Sequence, residues 1–315
     1  MLSEINYFLR THAYFVIGPT VIIFNIPVFI LIIIRKELRR TYSVIAVVFL
    51  NNALTGISVI LVGLKRLLFS PYKRLISHHE CTLNLSILLL TVLCLNGMSL
   101  LMNSAERLCV VMFPIYYYTH NTRISYSLIA AQYAVTFIVV FATVVATLIE
   151  PIRYVSNRCM LQNVFSPNFY KTILLLACGA SFMSAVLMLA VVVILKKKFG
   201  EQFLSKNSYN RDLSRFLSNQ KRYTQTAIIS SCLTFFLVVV PSIVEFGYVM
   251  DSPTRSKIIV TCCAYLRLLN SFNMVVLFLY RQRDFRRNAV QYFNCARRRR
   301  RRRHVQSIAV VGFGR

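Results

Sequence analysis

Few side chains in this chain are equipped for chemistry, and two carboxylate–guanidinium combinations stand out. The sequence holds 37 Lys and Arg but only 10 Asp and Glu. Glu106 is followed directly by Arg107, just before the pattern Phe113-Pro114-Ile115-Tyr116-Tyr117, and Glu245 and Arg267 each interrupt an apolar run. A carboxylate beside a guanidinium makes a strong, geometrically specific pair, a recognition element more than a reactive one. At the middle of a lipid-embedded helix an arginine costs about 2.5–3.5 kcal/mol on insertion scales. Arg267 and Glu245 therefore either form the floor of a polar ligand pocket or rest against each other as an interhelical ion pair, and the sequence leaves both readings open. His-Glu-x-x-His, Gly-x-Ser-x-Gly and Walker patterns are absent, so no enzyme and no cofactor are expected. His78-His79-Glu80 has metal-ligand chemistry, but adjacent residues rarely converge on one ion, and no metal site is expected there.

The elements that must position these groups are long apolar runs. Hydrophobic residues make up 57% of the chain and charged ones 15%, against about 25% charged in soluble domains. The runs are His12–Ile34, Tyr42–Gly63, Leu83–Ala105, Tyr126–Ile149, Thr172–Leu195, Tyr223–Val249 and Ile258–Tyr280. Each supplies the roughly 20 residues that carry an α-helix across about 30 Å of hydrocarbon. Lipid offers no partner to a backbone N–H or C=O, so such runs form helices, and the alternation of a membrane barrel is missing. The expected fold is an all-α integral membrane protein, a seven-helix bundle. It divides into a short N-terminus (1–11), the helical domain (12–280), a juxtamembrane amphipathic helix (281–295) and a basic tail (296–315).

The net charge of +27 suggests a nucleic-acid binder until the charges are placed. Alternate connections, with the tail, hold 26 Lys and Arg on one side and 9 on the other. Basic loops stay in the cytosol, which puts the N-terminus outside and the tail inside. A cleavable signal peptide is not expected, and a short N-terminus leaves any ligand to reach the bundle itself. Arg281-Gln282-Arg283-Asp284-Phe285-Arg286-Arg287 is expected to lie on the membrane as an eighth helix. Cys295 suits palmitoylation, and Arg297–Arg303 is expected on the anionic inner leaflet, at about 1 kcal/mol per residue, in preference to nucleic acid.

Several amides fall at membrane depth: Asn25, Asn52 or its neighbour Asn51, Asn96, Asn103, Asn270 and Asn273. They are expected to form one hydrogen-bonded seam, either as interhelical glue at about 0.6 kcal/mol each or as a switch. Pro241 removes a backbone donor from the sixth run and predicts a kink.

Glu106-Arg107-Leu108, with Pro114 eight residues beyond the acid and Tyr117 three beyond that, resembles the acidic-Arg-aromatic box of rhodopsin-like (class A) G-protein-coupled receptors. Its flavour is most like that of nematode chemosensory serpentine receptors. The resemblance covers the seven-segment layout and implies a plasma-membrane receptor, of sensory cilia, for an extracellular small-molecule ligand. It also implies a disulfide between Cys81 and Cys159, and coupling of Arg107 to the C-terminal helix of a Gα subunit once the sixth helix swings outward. The chain departs from the family in places. Val239 replaces the tryptophan usual before Pro241, and Asn273-Met274-Val275-Val276-Leu277 lacks the proline and tyrosine of Asn-Pro-x-x-Tyr. Lys221 stands where some relatives place an acid that pairs with Arg107, so that resting lock is not expected. The second segment offers only amide where relatives carry aspartate, which argues against a sodium site, and Lys257 lies too near a helix end for a retinal Schiff base. The reading from another class is a small-solute transporter or channel. Against it stand the lack of visible internal repeats and the expectation of one helix-breaking proline, in the sixth run alone.

Overall fold

The computed structural model describes residues 2–69, 75–156, 159, 161–165, 167–198, 225, 228–251 and 257–281. Within them seven helices are long and apolar enough to cross a membrane: Ala13–Ile34, Thr41–Leu68, His78–Met112, Pro114–Ile149, Asn168–Ile194, Ile228–Gly247 and Cys262–Tyr280. Each coincides with one of the seven apolar runs. We label the helices α1 (Leu2–Ile34), α2 (Lys36–Phe69), α3 (Ile87–Met112), α4 (Pro114–Ile149), α5 (Pro167–Lys198), α6 (Val240–Asp251) and α7 (Lys257–Arg281).

Helix α3 sits at the middle, packed on α2, α4 and α5, while α1 touches both α2 and α7 and so closes the ring. Helix α4 shows what surrounds the bundle. It buries Ser125, Gln132, Thr136, Thr143 and Thr147 and exposes Phe137, Ile138 and Phe141. That arrangement is inverted for water and natural for hydrocarbon, where polar groups seek one another and apolar ones lose nothing by facing out.

Two close approaches fix the packing. Gly18 of α1 and Gly56 of α2 meet backbone to backbone: a Cβ on Gly56 would lie 2.8 Å from the Gly18 carbonyl oxygen. At Gly97 of α3 a Cβ would lie 3.0 Å from the carbonyl oxygen of Ala177 on α5. Small residues at such crossings let dispersion replace the hydrophobic drive that lipid does not supply. Elsewhere α1, α2 and α7 share an apolar cluster centred on Phe278, which packs edge-on to Tyr42 and Phe49 with ring centroids 5.3 and 5.5 Å apart.

The structure adds to the expectations in two places and corrects one. The helical bundle also carries one short strand pair: β1 (Leu75–Ser77) pairs antiparallel with β2 (Tyr154–Ser156), Ile76 opposite Val155, which satisfies backbone groups of the two connections they belong to. Pro241 is not the lone proline within a span, because Pro19 and Pro27 both lie inside α1; that argument against a transporter falls. At Pro241 itself the expected break takes the form of a π-helical turn over Phe235–Val239. Val240 N–H bonds back to the Phe235 carbonyl. The wider turn relieves the clash between a proline ring and the carbonyl four residues before it.

Candidate functional site

Two buried ionic centres lie on the central helices. The first is at the end of α3. Phe113 leaves helical geometry (φ −129°, ψ 62°) and Pro114 opens α4 at its first position, where a missing N–H costs nothing. The chain therefore doubles back at once, and two side chains of α4 return to Glu106. Tyr117 donates from its hydroxyl to Oε1 at 2.7 Å, Ser125 donates to the same oxygen at 3.0 Å, and the Arg107 guanidinium holds Oε2. Arg107 is 0% and Glu106 1% exposed. Three donors on one carboxylate satisfy both oxygens of the buried group. Arg107 is wholly buried, so its guanidinium is not exposed at the surface.

The second centre joins α5, α6 and α7. Arg267 Nη2 lies 2.6 Å from Glu245 Oε2, and Tyr170 donates to Glu245 Oε1 at 2.7 Å. The Arg267 N–H is not aligned with Oε2, so the contact is an ion pair without a well-formed hydrogen bond. Glu245 is fully enclosed, whereas the Arg267 side chain keeps 16% of its surface. That surface lines a cavity of about 50 Å³ among α2, α3, α5, α6 and α7, room for a few water molecules. The second terminal nitrogen, Nη1, donates among the described residues to Ser242 Oγ at 3.5 Å. In this structure, then, Glu245 and Arg267 contact each other, and Arg267 also faces open space.

Among the described hydrogen bonds the asparagines do not join into one seam. They fall into separate sets, because adjacent helical residues point about 100° apart. Asn52 donates to Asn25 Oδ1 (3.4 Å) and to the Ser271 carbonyl (3.3 Å), tying α1, α2 and α7. Its neighbour Asn51 instead donates to Ser99 (2.6 Å) and accepts from Tyr133 (3.1 Å), tying α2, α3 and α4. Asn96 donates to Thr55 at 3.0 Å. Asn273 donates to Ser230 O (2.8 Å), Thr234 Oγ1 (3.2 Å) and Asn270 Oδ1 (3.2 Å), where the first part of the sixth span meets α7. Asn52, Asn96 and Asn270 all line the same cavity from different sides.

At the end opposite Arg107, roughly 40 Å along α3 by helical rise, Cys81 and Cys159 form a disulfide with Cα atoms 5.4 Å apart. Beside it the buried His78 accepts the Arg153 N–H on Nδ1 (3.0 Å) and points Nε2 at the Thr147 carbonyl (3.2 Å). Both ring nitrogens are thus engaged by backbone.

No protein-family model matches this chain. No curated protein matches it either. Lys221, Cys295 and Arg297–Arg303, with all of the expected eighth helix beyond Arg281, lie outside the described residues.

Sequence reasoning missed three partners: Ser125, Tyr170 and Ser242. Nothing in their spacing marks them, since each belongs to a different helix from the charge it serves. Tyr117 was visible as a position, three beyond Pro114, but not as the donor to Glu106.

Proposed function

We propose that this chain is a receptor that binds a small ligand within its helix bundle and activates a heterotrimeric G protein. The observation that carries the reading is the buried Glu106–Arg107 centre at the end of α3, closed by Tyr117 and Ser125. A strong cation held at a helix end by partners it can exchange is a two-state element, of the kind a ligand can bias. The Arg267-lined cavity lies between that centre and the disulfide, where ligand binding in one arrangement of α6 and α7 would favour it over another. In this reading the N-terminus is extracellular, and Arg107, the amphipathic stretch 281–295 and the arginine tail face the cytosol of the plasma membrane. Arg107 then meets the C-terminal helix of Gα, and the resemblance to rhodopsin-like and nematode chemosensory receptors supports this assignment. The chain itself makes and breaks no bonds.

A reporter cell line expressing the full chain, screened with odorants and small metabolites, tests the proposal. Arg107→Ala should abolish the response while ligand binding persists. Labelling that places Arg10 and the arginine tail on one side of the membrane would overturn it. The Arg267-lined central cavity and the two prolines inside α1 favour a second reading, a small-solute transporter. Solute flux through the purified chain in liposomes would select that one.

A further inference from the structure

We infer that the central cavity selects a short aliphatic carboxylate, recognised by Arg267. The inference rests on the ligand-binding part of the reading above and adds the class of ligand.

Charge comes first. Among the described residues lining the cavity, Arg267 is the one Lys, Arg, Asp, Glu or His. Its counter-ion Glu245 stands behind it, fully enclosed, with Oε1 taken by Tyr170 and Oε2 facing Arg267. A ligand in the cavity therefore meets a guanidinium and no accessible carboxylate. An amine would be repelled there, and a carboxylate attracted in a setting where water screens little.

The guanidinium also has capacity to spare. It carries five N–H donors in a planar fork. One nitrogen sits against Glu245 off the hydrogen-bond axis, and Nη1 reaches Ser242 only at 3.5 Å, the limit of a hydrogen bond. A carboxylate oxygen at Nη1 would replace a contact that contributes little. Ser242, Asn270 and Asn96 line the same space and offer further polar groups. The Asn96 Oδ1 and Ser230 Oγ atoms are buried at this cavity without a hydrogen-bond partner.

Size and wall chemistry set the tail. A cavity of about 50 Å³ holds on the order of four water-sized groups, which matches the heavy atoms of acetate and leaves propionate, one larger, at the limit. Leu93, Leu174, Ala177 and Val238 supply apolar wall for the carbons. Gly97 holds α3 against α5 at the backbone, so the space cannot widen there without parting those helices.

Glu245 gives the inference a sign that a general polar pocket would not have. It competes with the ligand for Arg267, so removing its charge should strengthen binding. The test uses the full chain in lipid nanodiscs, without G protein, titrated with sodium acetate, propionate, butyrate and octanoate, and with propionamide and propylamine, read by calorimetry and thermal shift. Acetate or propionate should bind and raise the melting temperature, with the amide and the amine silent and octanoate no tighter than butyrate. Glu245→Gln should tighten the acid roughly tenfold or more, as the fraction of Arg267 free to bind rises. Arg267→Lys should weaken it about tenfold, and Glu245→Gln/Arg267→Gln, which leaves no unpaired buried charge, should fold and bind none. Equal binding of acid and amide, or weaker binding by Glu245→Gln, would overturn the inference, as would octanoate far tighter than butyrate, which would point to a lipid chain. Because no G protein is present, acid binding without coupling would fault only the signalling reading. Coupling to other ligands with no acid binding would fault only this one.

Discussion

Tyr117→Phe deletes one oxygen from the most enclosed ionic centre among the described residues. The hydroxyl donates to Glu106 Oε1 at 2.7 Å, and both residues are buried. Hydrogen bonds to a charged group contribute about 1.5–3 kcal/mol. Phenylalanine keeps the ring and its packing, so nearly all of that loss should appear as destabilisation of the closed centre. At 1.4 kcal/mol per decade this shifts a closed-to-open equilibrium roughly 10- to 140-fold. Ser125→Ala should have a smaller effect, because its contact to the same oxygen is longer, 3.0 Å. The double variant should exceed the sum of the two, since Oε1 would then be buried with neither donor. Melting of the purified protein in detergent measures the stability part, with a drop of several degrees expected for Tyr117→Phe. Basal G-protein activation in transfected cells measures the population shift. If Tyr117→Phe leaves both at the wild-type value, Glu106 does not depend on this donor and the two-state account of the α3 end is wrong.

Other perturbations have equally definite outcomes. Arg267→Met strands the enclosed Glu245 carboxylate and should cost about 3–5 kcal/mol, while Glu245→Leu/Arg267→Met should recover most of it, as seen in surface expression and melting. Cys81→Ser opens a closed loop with a sequence separation of 78, worth about 4–5 kcal/mol by the chain-entropy account; wild-type melting should fall on adding reductant and the variant's should not. Gly56→Leu pushes against the Gly18 carbonyl oxygen, which a Cβ already approaches to 2.8 Å, so folded protein should drop sharply in size-exclusion chromatography while Gly247→Ala, with nothing near its Cβ, should stay close to wild type.

The seven helices were legible because hydrocarbon imposes a rule on composition: twenty apolar residues in a row have few other uses in a chain of this kind. Their ends were less so. Helix α4 begins at Pro114, twelve residues before Tyr126, with a break at His120 (φ −117°, ψ 17°), and no hydropathy signal distinguishes a polar helical turn from a loop. The charged pairs were legible as rare residues in an apolar setting, whereas their uncharged partners were not. Tyr170 and Ser125 look like any tyrosine and serine until the crossing of helices puts them beside a carboxylate. The asparagines show the same limit. Polarity at depth announces that each needs a partner, but Asn51 and Asn52 serve different helices because of which way each points, a fact set by rotation about α2 and not by composition. Glycine is the extreme case, as Gly97 matters for what it lacks.

The five-residue turn at Phe235–Val239 makes the sixth span (Ile228–Gly247) a screw with a half-thread inserted. Because that turn winds in one residue more than an α-helical ring would hold, everything beyond it is out of phase with what precedes. Tightening it by a single residue would rotate Ser242 and Glu245 by about 100° and slide them about 1.5 Å along the axis. Both would then lose their registration with Arg267 and Tyr170, while Ser230 and Thr234, on the near side, would keep theirs with Asn270 and Asn273. Deleting one residue from the turn should accordingly unlatch only the far ionic centre, a torsional device confined to one half of one helix.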